Sequence, residues 1–242
     1  MFLDPSPEGA GTYGDMILQG LWTTLEVSAL AWTIALAMGV VVGVMRTLPN
    51  RAFSVAGAAY VELFRNIPLL VQLFLWFFVL PEVLPASAGQ WLKQLPDAPF
   101  LTAVGGIGLF MSARVAEQLR AGIAAVPPGQ AAAAKALGLT TPQIYCTVLL
   151  PLAFRTMLPP LTSELINTIK NTSVALTIGL AELTARARAV QEFSFQVFEA
   201  FAAATLGYLL VNLAATAFMG WLERRVRVPG ALDASVPVRV VE

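Results

Sequence analysis

SARVAEQLRAGIAAVPPGQAAAAKALGLTTPQIYCTVLLP, residues 112–151, decides how the rest of the chain is read. It begins as the end of an apolar helix, turns polar at Arg114, Glu117 and Arg120, and breaks at Pro127 and Pro128. Proline lacks a backbone N–H and clashes with the preceding turn, so no helix is expected to run through that pair. A short alanine-rich helix is predicted over Gln130–Leu137, ending at Gly138, where positive φ is tolerated. A second helix is predicted from Pro142, with a kink at Pro151. Ala136 to Phe154 is nineteen uncharged residues and would pass a hydropathy window as a membrane span. Gly138, Pro142 and Pro151 within it, and the helix-start signal Thr140-Thr141-Pro142, argue instead for a block held outside the membrane between two spanning helices.

Composition supports membrane helices on either side. Of 242 residues, 57% are hydrophobic and 12% charged, with a mean hydropathy of +0.71; a soluble domain carries about 25% charged residues. The charges cluster and leave long uncharged runs, the pattern of an all-α integral membrane protein. Net charge is zero, which gives nucleic acid no basic field. The absence of histidine removes the commonest general base and metal ligand, so no metal site is expected. The single cysteine, Cys146, has no intramolecular partner and is expected to pack within an apolar helix. MFLDPSPEGAGTYGD is acidic and rich in Gly and Pro, so no cleavable signal is expected and residues 1–15 are predicted to be irregular.

Five spans are predicted within a single domain covering 1–242: about 21–45, 53–80, 100–120, 152–180 and 201–222, with the extramembrane block at about 121–151. Val27 to Met45 alone is nineteen residues without a charge, enough to cross ~30 Å of hydrocarbon. Gly39 and Gly43 form a small-xxx-small pair for close helix packing, and Gly105, Gly106 and Gly108 make a thin face on the third span. Glu62 and Arg65, three apart, are expected to form a local ion pair. Residues 81–99 read as a proline-rich loop with Trp91 as an interfacial anchor, and 183–200 as a polar connector. Arg46, Arg51, Arg120, Lys135, Arg155 and the arginines from 224 onward lie on one side, Lys93, Arg186 and Arg188 on the other. The excess of basic residues places the first side in the cytoplasm and the N-terminus outside.

Nothing in the chain signals an enzyme. Without histidine there is no Ser/His or Cys/His pair, and without a G-x-x-x-x-G-K-[ST] loop ATP must be bound by another subunit if it is used.

Ala132-Ala133-Ala134, three residues, Gly138, nine residues and Val148-Leu149-Leu150-Pro151 resemble the EAA loop of ABC-importer permeases, E-A-A-x3-G-x9-I-x-L-P. PPLTSELINTIKNTSVALTIGLAELT, YVELFRNIPLLVQLFLWFFVLPEVLP and ARVAEQLRAGI resemble segments of the polar amino acid permeases of that class, over about Gly20 to Pro229. RNIPLLVQLFLWFFVLPE, SARVAEQLRAGI and ERRVRVPG are most similar to the glutamate/aspartate permeases of Gram-negative bacteria. The motif's glutamate is Ala132 here, so one polar contact is missing, for which Gln130 or a partner permease can substitute.

The resemblance implies a type I ABC importer permease fold of five spans, a bacterial inner-membrane location, and import of glutamate and aspartate, with their amides glutamine and asparagine as the alternative substrates. It also implies a cytoplasmic coupling helix, carried here by Gln130, Ala132, Ala133, Ala134, Lys135, Gly138 and Pro151. The implied partners are a second permease (identical or homologous), two ATPase subunits holding ATP and Mg²⁺, and a periplasmic amino acid-binding protein. No cofactor is implied in this chain. Charges within spans must face protein or water, and Glu164, Asn167, Lys170 and Asn171 lie largely along one helical face. Arg114, Glu117, Glu164, Asn167 and Lys170 are therefore candidate ligands for an acidic amino acid, with Arg114 suited to the side-chain carboxylate. The alternative is purely structural: Arg114 paired with Glu117, and Glu164 with Lys170 or the partner permease. An ATP-independent secondary carrier is the rival function, disfavoured because no internal repeat is present.

Overall fold

The computed structural model describes residues 1–6 and 11–226. Arg227 and the rest of the 227–242 tail, on which the charge asymmetry and the ERRVRVPG resemblance partly rest, lie outside the described residues. We label the helices α1 (Tyr13–Thr47), α2 (Arg51–Asn66), α3 (Leu69–Val83), α4 (Ala86–Lys93), α5 (Ala98–Ala124), α6 (Pro128–Ala136), α7 (Thr141–Ile178), α8 (Leu183–Ser194) and α9 (Val197–Val226). Among the described residues, α1, α5, α7 and α9 are long and apolar enough to cross a membrane, and α2 with α3 makes a fifth, bent candidate.

α1 begins earlier than its hydropathy suggests. Thr12 caps it through a reciprocal pair with Asp15: Asp15 N–H donates to Thr12 Oγ1 at 3.3 Å, and Thr12 N–H to Asp15 Oδ2 at 2.7 Å. Residues 13–15 are thus helical rather than irregular. The core lies between α1, α5 and α7, around Ala31, Ala35, Ile107, Met111, Met157 and Leu161. The small-residue pair of α1 lets the backbones approach: a Cβ on Gly39 would stand 2.6 Å from Val115, and one on Gly43 2.9 Å from Leu119. Among the three glycines of α5, Gly106 packs against Leu73 and Gly108 against Ile34, whereas Gly105 faces open space.

The range 53–80 is not one straight span but two helices bent by 100°. The cause is Pro68. It forces the preceding residue out of the α region, and Ile67 is extended at φ −101°, ψ 126°. Carbonyls left open at the end of α2 are taken by the buried Gln72, whose Nε2 donates to Phe64 O at 2.9 Å and Ile67 O at 2.8 Å. The pairing expected within α2 does not form either. Glu62 accepts from Asn66, and Arg65 faces Glu117 of α5 at 3.9 Å.

Four further expectations are corrected. The 81–99 stretch carries α4, tied to α3 by a Lys93–Glu82 ion pair at 2.6 Å, with Trp91 exposed. The helix predicted from Pro142 starts at Thr141, behind a Thr140/Gln143 capping box, but it runs on through Pro151, so residues 141–151 belong to the same long helix as the span expected from 152. A π-turn at Tyr145–Leu149 precedes that proline and absorbs its missing N–H. Cys146, in this turn, is exposed rather than packed. Residues 183–194 form α8, not a connector, and its Leu183 and Ala187 are fully buried. α9 buries only Ala200, Ala204 and Met219 and leaves Leu206, Leu209, Leu210, Leu213 and Phe218 exposed, the expected condition of a helix facing lipid.

Candidate functional site

Two places carry the polar residues singled out in the sequence. The first is the crossing of α5 and α7. Arg114 projects from α5 with 44% of its side chain open, while Glu164 of α7 is 10% open. Arg114 Nη1 stands 3.8 Å from Glu164 Oε2, an ion pair slightly too long for a hydrogen bond. Gln118, one turn along α5 from Arg114, donates from Nε2 to Glu164 Oε1 at 3.5 Å. The Arg114 guanidinium also lies 5.5 Å from the Phe110 ring centre, which steadies it by a cation–π contact. Glu164 Oε2 has no hydrogen-bond donor, an open acceptor at a buried carboxylate. The other polar groups follow along α7: Asn167 half-buried, Lys170 exposed, and Asn171 with its amide on Met111 Sδ at 3.5 Å.

Glu117 does not join this group. It accepts from Arg46 and Arg120, and Arg65 approaches it, so its carboxylate is committed to α1, α2 and its own helix rather than to α7. Neither local pairing, Arg114 with Glu117 or Glu164 with Lys170, is formed; Arg114 and Glu164 take each other. Gln118 was not anticipated, although its i+4 spacing from Arg114 puts it on the same face.

The second place is α6. It runs from Pro128 to Ala136, two residues earlier at its start than predicted, with proline where the first helical N–H has no partner in any case. Its end is a Schellman motif: Gly138 N–H donates to Lys135 O at 3.0 Å and Leu139 N–H to Ala134 O at 3.2 Å, with Gly138 at φ +84°. Ala134 is buried against the following helix, while Gln130, Ala132, Ala133, Lys135 and Leu137 are exposed; Leu137 is 81% open. Pro151 is exposed on α7 beyond the π-turn. Tyr145 Oη donates to Thr47 Oγ1 at 3.1 Å and ties the start of α7 to the end of α1.

A third polar cluster had no signal in the sequence. Glu182 is fully buried and caps α8, accepting from Thr184 N–H at 3.0 Å, Ala185 N–H at 2.8 Å and Tyr208 Oη at 2.6 Å. Burial pushes its carboxyl above the ordinary range, and the donors pull it back. Thr24 of α1 accepts from Leu183 N–H at 3.1 Å, so α1, α8 and α9 meet here. Among the described residues, no group of three or more Cys, Asp or Glu stands close enough to hold a metal ion.

The chain as a whole is similar to known proteins in sequence and in fold. The family model described as "Binding-protein-dependent transport system inner membrane component" matches residues 35–228. The chain is 46% identical over 233 residues to the glutamate/aspartate import permease protein GltJ of Escherichia coli K12, covering 95% of each chain. It is 36% identical over 211 residues to the probable amino-acid ABC transporter permease protein PatM of Vibrio harveyi, covering 87% of this chain and 92% of that one. Among solved structures, an amino acid ABC transporter crystallised with histidines aligns with a TM-score of 0.75 at 32% identity, covering 88% of this chain and 95% of that chain.

Proposed function

This chain belongs to the family of binding-protein-dependent transport system inner membrane components, and from that membership we propose that it is the permease subunit of an ATP-driven importer for glutamate and aspartate. The observation that carries the reading is its 46% identity, over 95% of both chains, to a glutamate/aspartate import permease.

The α5–α7 crossing suits such a substrate. The open Arg114 offers a planar pair of donors that grips a carboxylate bidentately. Glu164, buried beside it with one oxygen unclaimed, offers an acceptor to the substrate ammonium. The two charges hold each other across the crossing. At ~4 Å and an effective dielectric of 20 that attraction is about 4 kcal/mol before desolvation, so an amino acid that satisfies both enters without leaving a buried charge unpaired. Lys170, exposed further along α7, adds a positive charge to the approach for a second carboxylate.

α6 is the docking element for an ATPase, placed on the cytoplasmic side with the C-terminus, the N-terminus being periplasmic. ATP and Mg²⁺ belong to two ATPase subunits. A second permease completes the path, and a periplasmic binding protein delivers substrate. ATP binding draws the α6 helices of the two permeases together and opens the cavity outward; hydrolysis resets it.

The test is ATP hydrolysis by the reconstituted transporter with binding protein loaded in turn with glutamate, aspartate, glutamine or arginine. Stimulation by the acidic pair supports the reading. Stimulation by arginine alone overturns the substrate and leaves the family untouched.

A further inference from the structure

Charges mark the level at which the chain leaves hydrocarbon on the side of its N-terminus. Glu26 of α1, Asp97 before α5 and Arg186 of α8 line one cavity of about 450 Å³. Below that level Val27 to Met45 runs without a charge for ~28 Å, the depth of a bilayer core. α8 climbs away from it on the outer side. Leu183 N–H donates to Thr24 Oγ1 at 3.1 Å, and seven residues on Val190 packs with Met16 and Ala200. α8 therefore runs antiparallel to the start of α1, and α9 returns beside both, where a Cβ on Gly207 would meet Leu183 at 2.9 Å. The twelve residues of α8 rise roughly 18 Å above the charged level. A headgroup layer is ~5–8 Å deep, so the α8–α9 turn stands clear of the bilayer even at a tilt of about 40°.

That turn presents phenylalanine to water. Phe193, Phe195 and Phe198 are 49%, 85% and 82% exposed. Phe195 also adopts the left-handed conformation, φ +59°, where α8 ends. Glycine or asparagine is the usual residue there, and a bulky side chain in that region is an outlier. Phe195 is too exposed for packing within the chain to offset the strain, and strain held where the fold does not need it points to a working surface. Arg188 and Glu192, paired at 2.9 Å, and Glu199 lie exposed nearby. An aromatic centre with a charged rim is the anatomy of a docking patch.

Height and area together select the occupant. The turn lies above the reach of acyl chains. Three phenylalanines at these exposures offer roughly 400 Å², about half of the ~800 Å² that each partner gives to a stable complex. The patch is thus too small for a permanent contact with a second permease and suits a soluble protein that comes and goes. The family to which the chain belongs depends on a binding protein. We infer that the α8–α9 turn is the docking knob for that soluble binding protein, with Phe195 and Phe198 entering apolar hollows on its surface. The inference rests on the importer reading and on the orientation proposed with it.

The experiment titrates the reconstituted transporter with glutamate-loaded binding protein and reads ATP hydrolysis. Phe198→Ser and Phe195→Gly are each expected to raise the half-maximal concentration about tenfold, with basal hydrolysis unchanged. Phe195→Gly separates docking from folding, because glycine accepts the left-handed backbone and its melting temperature should hold while stimulation is lost. A photo-crosslinking residue at position 198 is expected to capture the binding protein. Wild-type half-maximal concentrations in both variants overturn the docking surface and leave the importer reading intact. A melting temperature of Phe195→Gly that falls in step with stimulation overturns it as well, as does crosslinking at 198 to lipid or to the second permease instead. Wild type that is not stimulated at any concentration overturns the importer reading, and the docking surface with it.

Discussion

Glu164 and Arg114 stand 3.8 Å apart across two helices, the carboxylate buried and the guanidinium open. Each balances the other's charge across the α5–α7 crossing. Arg114→Ala is expected to raise the KM for glutamate about 10–100-fold, the loss of a charge-assisted contact of about 1.5–3 kcal/mol. Arg114→Lys is expected to recover little, because an ammonium cannot make the paired contact. Uptake of labelled glutamate into proteoliposomes measures both; wild-type KM in Arg114→Ala would remove the residue from the substrate path.

Gly138 closes α6 at φ +84°, a conformation that costs a residue with a Cβ about 1–2 kcal/mol. Gly138→Val is expected to distort the Schellman turn and tilt the exposed face of α6 without preventing membrane insertion. ATP turnover should then persist while substrate moved per ATP falls. Parallel hydrolysis and uptake rates on one preparation decide it, and an unchanged ratio would count against docking through α6.

The buried Glu182 holds three donors at once. Glu182→Ala strands two backbone N–H groups and leaves the Tyr208 hydroxyl with Thr184 Oγ1 at 3.2 Å, with an expected loss of about 3 kcal/mol, whereas Tyr208→Phe removes the contacts to Glu182 and Thr184, leaves the backbone donors satisfied and should lose about 1 kcal/mol. Thermal unfolding in detergent should therefore show Glu182→Ala well below Tyr208→Phe. The reverse order would mean that the carboxylate is not the hub.

Two glycines in long helices should respond in opposite directions. A Cβ on Gly39 meets Val115 at 2.6 Å, while one on Gly105 meets nothing within 4 Å. Gly105→Ala is expected to stabilise by about 0.5–1 kcal/mol through reduced chain entropy. Gly39→Ala is expected to destabilise by about 1–3 kcal/mol through overpacking of α1 on α5. Melting temperatures of the two variants, measured side by side, test the packing directly.

What could be read from the sequence was whatever is set locally. Pro127, Pro128 and Gly138 act on their own neighbours, and α6 lies within two residues of where they put it. Pro68 exerts an equally local effect on Ile67, yet the apolar run on its far side outweighed it and the elbow was read as a straight span. α8 was missed because its cap is a glutamate, outside the usual set of Ser, Thr, Asp and Asn, so Glu182 looked like one more charge in a connector. The partners of Arg114 and Glu117 were assigned to near neighbours because sequence spacing ranks only those. The true partner of Arg114 lies fifty residues away, and two of Glu117's come from α1 and α2. Residue types at the site were legible; who faces whom is a property of the packed helices.

Pro151 has a mechanical consequence. It has no N–H to give to the helix ladder, and the π-turn before it has already widened the coil. Flexing α7 at this point therefore breaks no proline hydrogen bond, and the helix is a jointed lever rather than a stiff rod. Its short arm begins beside α6 and is pinned to α1 by Tyr145 and Thr47; its long arm carries Glu164, thirteen residues or roughly 20 Å further on. Pro159 and Pro160 add two more positions without a ladder N–H between that joint and the carboxylate, so movement at the short end reaches Glu164 through a series of weakened turns, and restoring the missing N–H groups would leave both ends intact while stiffening the path between them.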